Sequence, residues 1–108
     1  MTRAKVGYAA MLEQFGPQEV VGYSAEAEAA GFQGVMAADH FQPWVPQQGQ
    51  AAFVWNVLTA LGERTKYALG PGCTRPPFRF PPALVAPAAP TACARRVGES
   101  RRPSPRRC

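Results

Sequence analysis

Three short apolar runs recur along this chain about 30 residues apart, the spacing of strand–helix–strand units. They are Lys5-Val6-Gly7-Tyr8-Ala9, Gly34-Val35-Met36-Ala37-Ala38 and Tyr67-Ala68-Leu69. Each is too short for a helix and reads as a buried strand. Between the first two, Gly16-Pro17 opens a helix, because proline is well tolerated at the first helical position. Phe15 and Val20 are spaced as a hydrophobic staple, and Glu19 suits the helix dipole. The run Ser24 to Ala30 continues that helix, and Gly31 is its stop. Between the second and third runs, Phe53, Val54, Val57, Leu58 and Leu61 recur at helical spacing, predicting a helix through about Arg64. The order is β-α-β-α-β, which implies parallel strands joined by right-handed crossovers.

Two βα units and a third strand do not close a sheet. A parallel sheet needs both faces covered, and an open edge invites further pairing. The expected fold class is therefore α/β, the N-terminal β-α-β-α-β portion of a (β/α)8 TIM barrel whose usual size is about 250 residues. The third strand is expected to break at Gly70-Pro71-Gly72. From Pro81 the pattern weakens. Pro82 can start a helix, but Pro87 and Pro90 fall in its interior, where each costs about 3 kcal/mol. Residues 81–94 thus read as an aborted third helix, after a barrel portion over 1–80. Residues 95–108, rich in arginine, proline and serine, read as a disordered tail.

Charge follows the same division. In residues 1–80, Arg3, Lys5, Arg64, Lys66, Arg75 and Arg79 are balanced by Glu13, Glu19, Glu26, Glu28, Asp39 and Glu63. The net charge of +5 belongs to the arginines that follow. A basic tail can bind nucleic acid or an acidic partner by counterion release. This one has no aromatic stacking residues and no recognition motif, which disfavours specific nucleic-acid binding. Cys73, Cys93 and Cys108 form no CxxC pair, and the single histidine cannot complete a usual zinc set, so no metal is expected. No signal peptide opens the chain and no run approaches a membrane span. The expected setting is cytoplasmic, with free thiols.

Chemistry concentrates at Asp39-His40-Phe41-Gln42-Pro43-Trp44, directly after the second strand. The carboxyl ends of parallel strands are where α/β folds place their sites. His40 can act as a general base or steady a developing anion. Asp39 can hydrogen-bond a polar cofactor edge, and Trp44 can wall the pocket. Glu13, in the loop after the first strand, comes to the same end. The bland alternatives are a solvated turn for Asp39-His40 and a surface charge for Glu13. Trp55 lies on a helix and reads as packing. Val45 to Gln50 reads as a polar loop. Gly70 to Thr74 allows close backbone approach by a ligand, or is a plain loop.

These residues resemble the coenzyme F420-dependent glucose-6-phosphate dehydrogenase group of the luciferase-like oxidoreductases. The resemblance is carried by Glu13-Gln14-Phe15-Gly16-Pro17, Ala27 to Phe32, Gly62-Glu63-Arg64-Thr65, Pro77 to Phe80, and above all Asp39 to Trp44. It implies a (β/α)8 barrel that binds the deazaflavin at the carboxyl ends of its strands. It further implies hydride transfer between a hydroxyl-bearing carbon, of a sugar phosphate or another alcohol, and that ring. On matching positions, Asp39 would contact the cofactor, together with Thr74 and Arg75 in a following turn. His40 would assist proton or charge movement, Trp44 would shape the pocket, and Glu13 would line the substrate side. Members of the group form homodimers. This sequence departs from the group at Arg75, where a small residue is usual, and at Pro81, Pro87 and Pro90, which replace a histidine, a glutamine and an alanine. From about Cys93 the similarity gives way to arginine-rich sequence of the kind a GC-rich gene yields out of frame. The expectation is a truncated fragment, inactive alone, without the group's catalytic glutamate. The alternative is a short non-enzymatic protein that binds through its basic tail.

Overall fold

The structure, a computed structural model, describes residues 3–73 and 81–97. Its elements are β1 (Tyr8–Ala10), α1 (Pro17–Ala29), β2 (Gly34–Ala38), α2 (Val54–Arg64), β3 (Ala68–Cys73) and α3 (Pro82–Val97). The strands form one parallel sheet in the order β1-β2-β3. Among the described residues this is the β-α-β-α-β portion of a barrel that the sequence predicts.

The first helix ends are built as their residues dictate. Gly16 offers no side chain for capping, so Glu19 reaches back and its carboxylate accepts the Gly16 N–H at 2.9 Å. At the other end, the Phe32 N–H donates to Ala27 O at 3.1 Å and the Gly31 N–H to Glu28 O at 3.0 Å. That pair of bonds needs a left-handed residue, and Gly31 supplies it at φ 98°. Val20, Ser24 and Ala27 form the buried stripe of α1. Val54, Trp55, Val57, Leu58 and Leu61 form that of α2. These meet Ala10, Val35 and Ala37 from the sheet in one hydrophobic core.

Burial alternates along the strands. Val35 and Ala37 face the helices, whereas Ala9 and Met36 point the other way and are exposed. One face of the sheet is thus covered and the other is open among the described residues. The side chain of Glu28 joins α1 to the start of β3, its Oε1 accepting the N–H groups of Lys66 at 2.7 Å and Tyr67 at 2.9 Å. The Tyr67 hydroxyl donates to Ser24 O on the same helix.

Three sequence expectations are corrected. The β1 ladder begins at Tyr8 rather than Lys5, because its register pairs Tyr8 with Val35 near the start of β2. Before it, a single bond from the Gln33 N–H to Val6 O at 2.9 Å already ties the two chains. The third strand does not break at Gly70-Pro71-Gly72 but runs to Cys73. Pro71 lies on an edge strand of the described sheet, where a missing N–H is tolerated. The register advances from Ala37↔Pro71 to Ala38↔Cys73, so Gly72 is the extra residue of a bulge.

The third correction concerns the helix expected to abort over 81–94. α3 is continuous from Pro82 to Val97 through Pro87 and Pro90. Val85, Ala88 and Ala89 keep helical spacing on the side away from both prolines and pack on the core. Burial of that stripe offsets the lost backbone bonds. Arg95 to Val97, assigned to the tail by sequence, belong to this helix; the rest of the tail lies outside the described residues. No helix of the described residues is long and apolar enough to cross a membrane.

Candidate functional site

The backbone turns out of β2 under control of its neighbour: the Asp39 N–H donates to Cys73 O at 3.1 Å, holding the carboxyl ends of β2 and β3 together. His40, the next residue, is half-buried. Glu13 arrives from the β1–α1 loop. Its neighbour Leu12 is 1% exposed and anchors that loop in the core, so Glu13 is carried inward as well, to 4% exposure. Its Oε1 lies 3.2 Å from Nε2 of His40. That oxygen is shielded from solvent and no donor is aligned on it among the described residues, so the two groups are in close contact without a formed hydrogen bond. A buried carboxylate oxygen in this condition is ready to accept a bond from a ligand or from a reoriented imidazole.

Trp44 completes the group. Its ring meets His40 edge-on, with centroids 5.7 Å apart and planes at 61°. The indole Nε1 lies 3.3 Å from Nδ1 and 3.4 Å from Nε2 of the imidazole, directing its N–H at the ring. The indole is 76% exposed and Phe41 beside it 81%, so flat apolar surface is presented at the carboxyl end of β2. Trp55, by contrast, is buried in the core, as its helical position predicts.

The structure therefore brings together Glu13, Asp39, His40 and Trp44, from two loops at one end of the sheet. Thr74 and Arg75 lie outside the described residues. Sequence reasoning counted Gln47 to Gly49 in the family resemblance but gave Gln48 and Gln50 no role beyond a polar loop. The Gln50 N–H donates to Glu13 O at 3.0 Å, and Gln48 Oε1 accepts the N–H groups of Trp44 at 2.9 Å and Val45 at 3.3 Å. The available signal was Gly49 between two glutamines, a turn residue that reverses the chain at φ 73°.

A parallel sheet backed by helices, with an acid, an imidazole and an indole at its carboxyl end, defines the N-terminal part of a (β/α)8 barrel of the luciferase-like class. The chain belongs to the Luciferase-like monooxygenase family, whose profile matches residues 1–92. It is similar to the F420-dependent glucose-6-phosphate dehydrogenase of Intrasporangium calvum, at 48% identity over 85 residues, covering 78% of this chain and 25% of that protein. The enzyme of the same name from Mycobacterium tuberculosis (strain CDC 1551 / Oshkosh) is 45% identical over 89 residues, covering 82% of this chain and 26% of that protein. Among solved structures, an F420-dependent secondary alcohol dehydrogenase in complex with an F420-acetone adduct superposes with a TM-score of 0.76 at 34% identity. That match covers 81% of this chain and 27% of the other. The chain thus spans about a quarter of the length of the curated relatives it matches.

Proposed function

We propose that these residues form the first portion of the barrel of an F420-dependent oxidoreductase. The reaction is hydride transfer between a hydroxyl-bearing carbon, of a sugar phosphate such as glucose 6-phosphate or of another alcohol, and the deazaflavin. The observation that carries this reading is the convergence of Glu13 Oε1 and His40 Nε2 at 3.2 Å from separate loops.

The residues present fit a planar heteroaromatic group. Exposed aromatic surface at Trp44 and Phe41 matches a flat ring, and the shielded, donor-free oxygen of Glu13 matches a polar hydrogen-bonding neighbour. When bound, the deazaflavin supplies the hydride acceptor, a role no side chain here can fill. His40 would take the hydroxyl proton at Nε2 as the carbon loses its hydride, and the Glu13 carboxylate beside it would stabilise the imidazolium that forms. Trp44 walls the imidazole and limits water. Asp39 would contact the polar edge of the cofactor, and Thr74 and Arg75, next in sequence after Cys73, would contribute to its binding. The same reading takes the protein to be cytoplasmic.

The three strands among the described residues leave the inner face of the sheet open, with Met36 55% exposed, and on this reading the 108-residue polypeptide alone does not enclose a reaction. It is expected to reduce no F420 with glucose 6-phosphate or a secondary alcohol. Residues 1–90 grafted in place of the matching part of the Intrasporangium calvum relative should restore turnover. His40→Ala in that graft should lower it by about 10²-fold or more. Turnover by the isolated chain would refute the first expectation. A folded graft without activity, or one indifferent to His40, would refute the assignment of the site.

A further inference from the structure

We propose that Gln48 is the positioning residue of the His40–Trp44 pair, acting through its side-chain carbonyl on the backbone that carries the indole. The proposal rests on reading that pair as cofactor-facing, but its test does not use the cofactor.

An indole that is 76% exposed is not held by packing. A long side chain on a loop samples several rotamers unless its backbone is fixed. Here the backbone is fixed from one point. The N–H groups of Trp44 and Val45 converge on Gln48 Oε1 at 2.9 and 3.3 Å, and the Gln48 N–H returns to Val45 O at 3.1 Å. Two converging donors demand an acceptor with two lone pairs, which an amide oxygen provides. Gln48 is half-buried, whereas its neighbours Gln47 and Gln50 are exposed.

The turn does not stop at Trp44. Gly49, at φ 73°, reverses the chain so that the Gln50 N–H reaches Glu13 O at 3.0 Å. One short loop therefore fixes the backbone of the indole and the backbone of the acid that faces His40. The side-chain carbonyl of Gln48 accepts from the backbone of Trp44 and Val45, so its effect on chemistry is through Trp44.

The test is fluorine NMR of the full 108-residue chain labelled with 5-fluorotryptophan, which gives one resonance for Trp44 and one for Trp55. Trp44→Phe assigns them. His40→Ala should shift the Trp44 resonance, because the two rings touch. In a Gln48→Ala background that response to His40→Ala should disappear, and the Trp44 line should narrow toward that of a free indole. Gln48→Glu retains an oxygen acceptor and should preserve the response, whereas Gln48→Lys, a donor only, should abolish it. Far-ultraviolet circular dichroism is recorded on each variant. An undiminished response in Gln48→Ala, or identical behaviour of the Ala and Glu variants, would overturn the proposal. Loss of helix signal in Gln48→Ala would overturn it too, by making Gln48 a residue of the fold. An inactive graft would sink the functional reading without moving these resonances, so the two failures are distinguishable.

Discussion

At Gly31 the backbone sits at φ 98°, yet no atom lies within 4 Å of where a Cβ would stand. At Gly72 a Cβ would lie 2.9 Å from both Cγ and Sδ of Met36, with no left-handed angle to strain it. The two glycines thus separate backbone conformation from space. Met36 is unbranched and more than half exposed, so it can swing aside. Gly31→Ala should lower stability by about 1–2 kcal/mol, the cost of a side chain in the left-handed region. Gly72→Ala should change it little. Urea midpoints for the two variants check this, and the opposite ranking would show that crowding at the bulge governs. Gly31 was legible in the sequence, since a glycine after a helical run has a local reason. Gly72 was read as a strand break, because a bulge exists only relative to the strand it pairs with.

Helix α1 is fastened to the residues before β3 by the Glu28 carboxylate and by the Tyr67 hydroxyl. Removing Glu28 leaves the N–H groups of Lys66 and Tyr67 without their acceptor while the Tyr67 hydroxyl still reaches Ser24 O. Glu28→Ala should cost about 1–3 kcal/mol, and Glu28→Gln, which keeps an acceptor oxygen, should recover part of it. Thermal melts of both variants measure the difference. Equal losses in the two would show that the charge, and not the hydrogen bonds, makes the joint. Helix α3 illustrates the opposite balance at this scale. Local propensity condemned it at Pro87 and Pro90, and burial of Val85, Ala88 and Ala89 against the core prevailed. Propensity is a local quantity; the apolar partner that outweighs it comes from α2, distant in sequence.

For the molecule as a whole, the imbalance between the two faces of the sheet matters most. The helices cover Val35 and Ala37, while Ala9, Met36 and Ala68 border an open concavity of about 450 Å³. In a complete barrel that surface is interior. On its own, the 108-residue chain should therefore bind an apolar dye such as anilinonaphthalene sulfonate under native conditions. Met36→Lys should reduce that fluorescence without loss of helix signal, since Met36 points away from the core. Dye binding unchanged by Met36→Lys would place the exposed surface elsewhere, at Phe41 and Trp44.

Much of this architecture follows from the sequence alone. The periods of the apolar residues set helix and strand, the roughly even spacing of strands set parallel connection, and Asp39-His40 after an apolar run marked the carboxyl end. Local chemistry also placed the caps at Gly16 and Gly31. What only the tertiary structure decided are relations between segments that no local pattern encodes. Glu13 is buried against His40 because Leu12 is drawn into a core assembled from α1, α2 and the sheet. The indole of Trp44 meets that imidazole because Gln48 gathers the loop behind it. Side-chain types and spacing announce what a residue can do. Which partner stands 3.2 Å away is settled by packing, where many weak contacts from distant parts of the chain act at once.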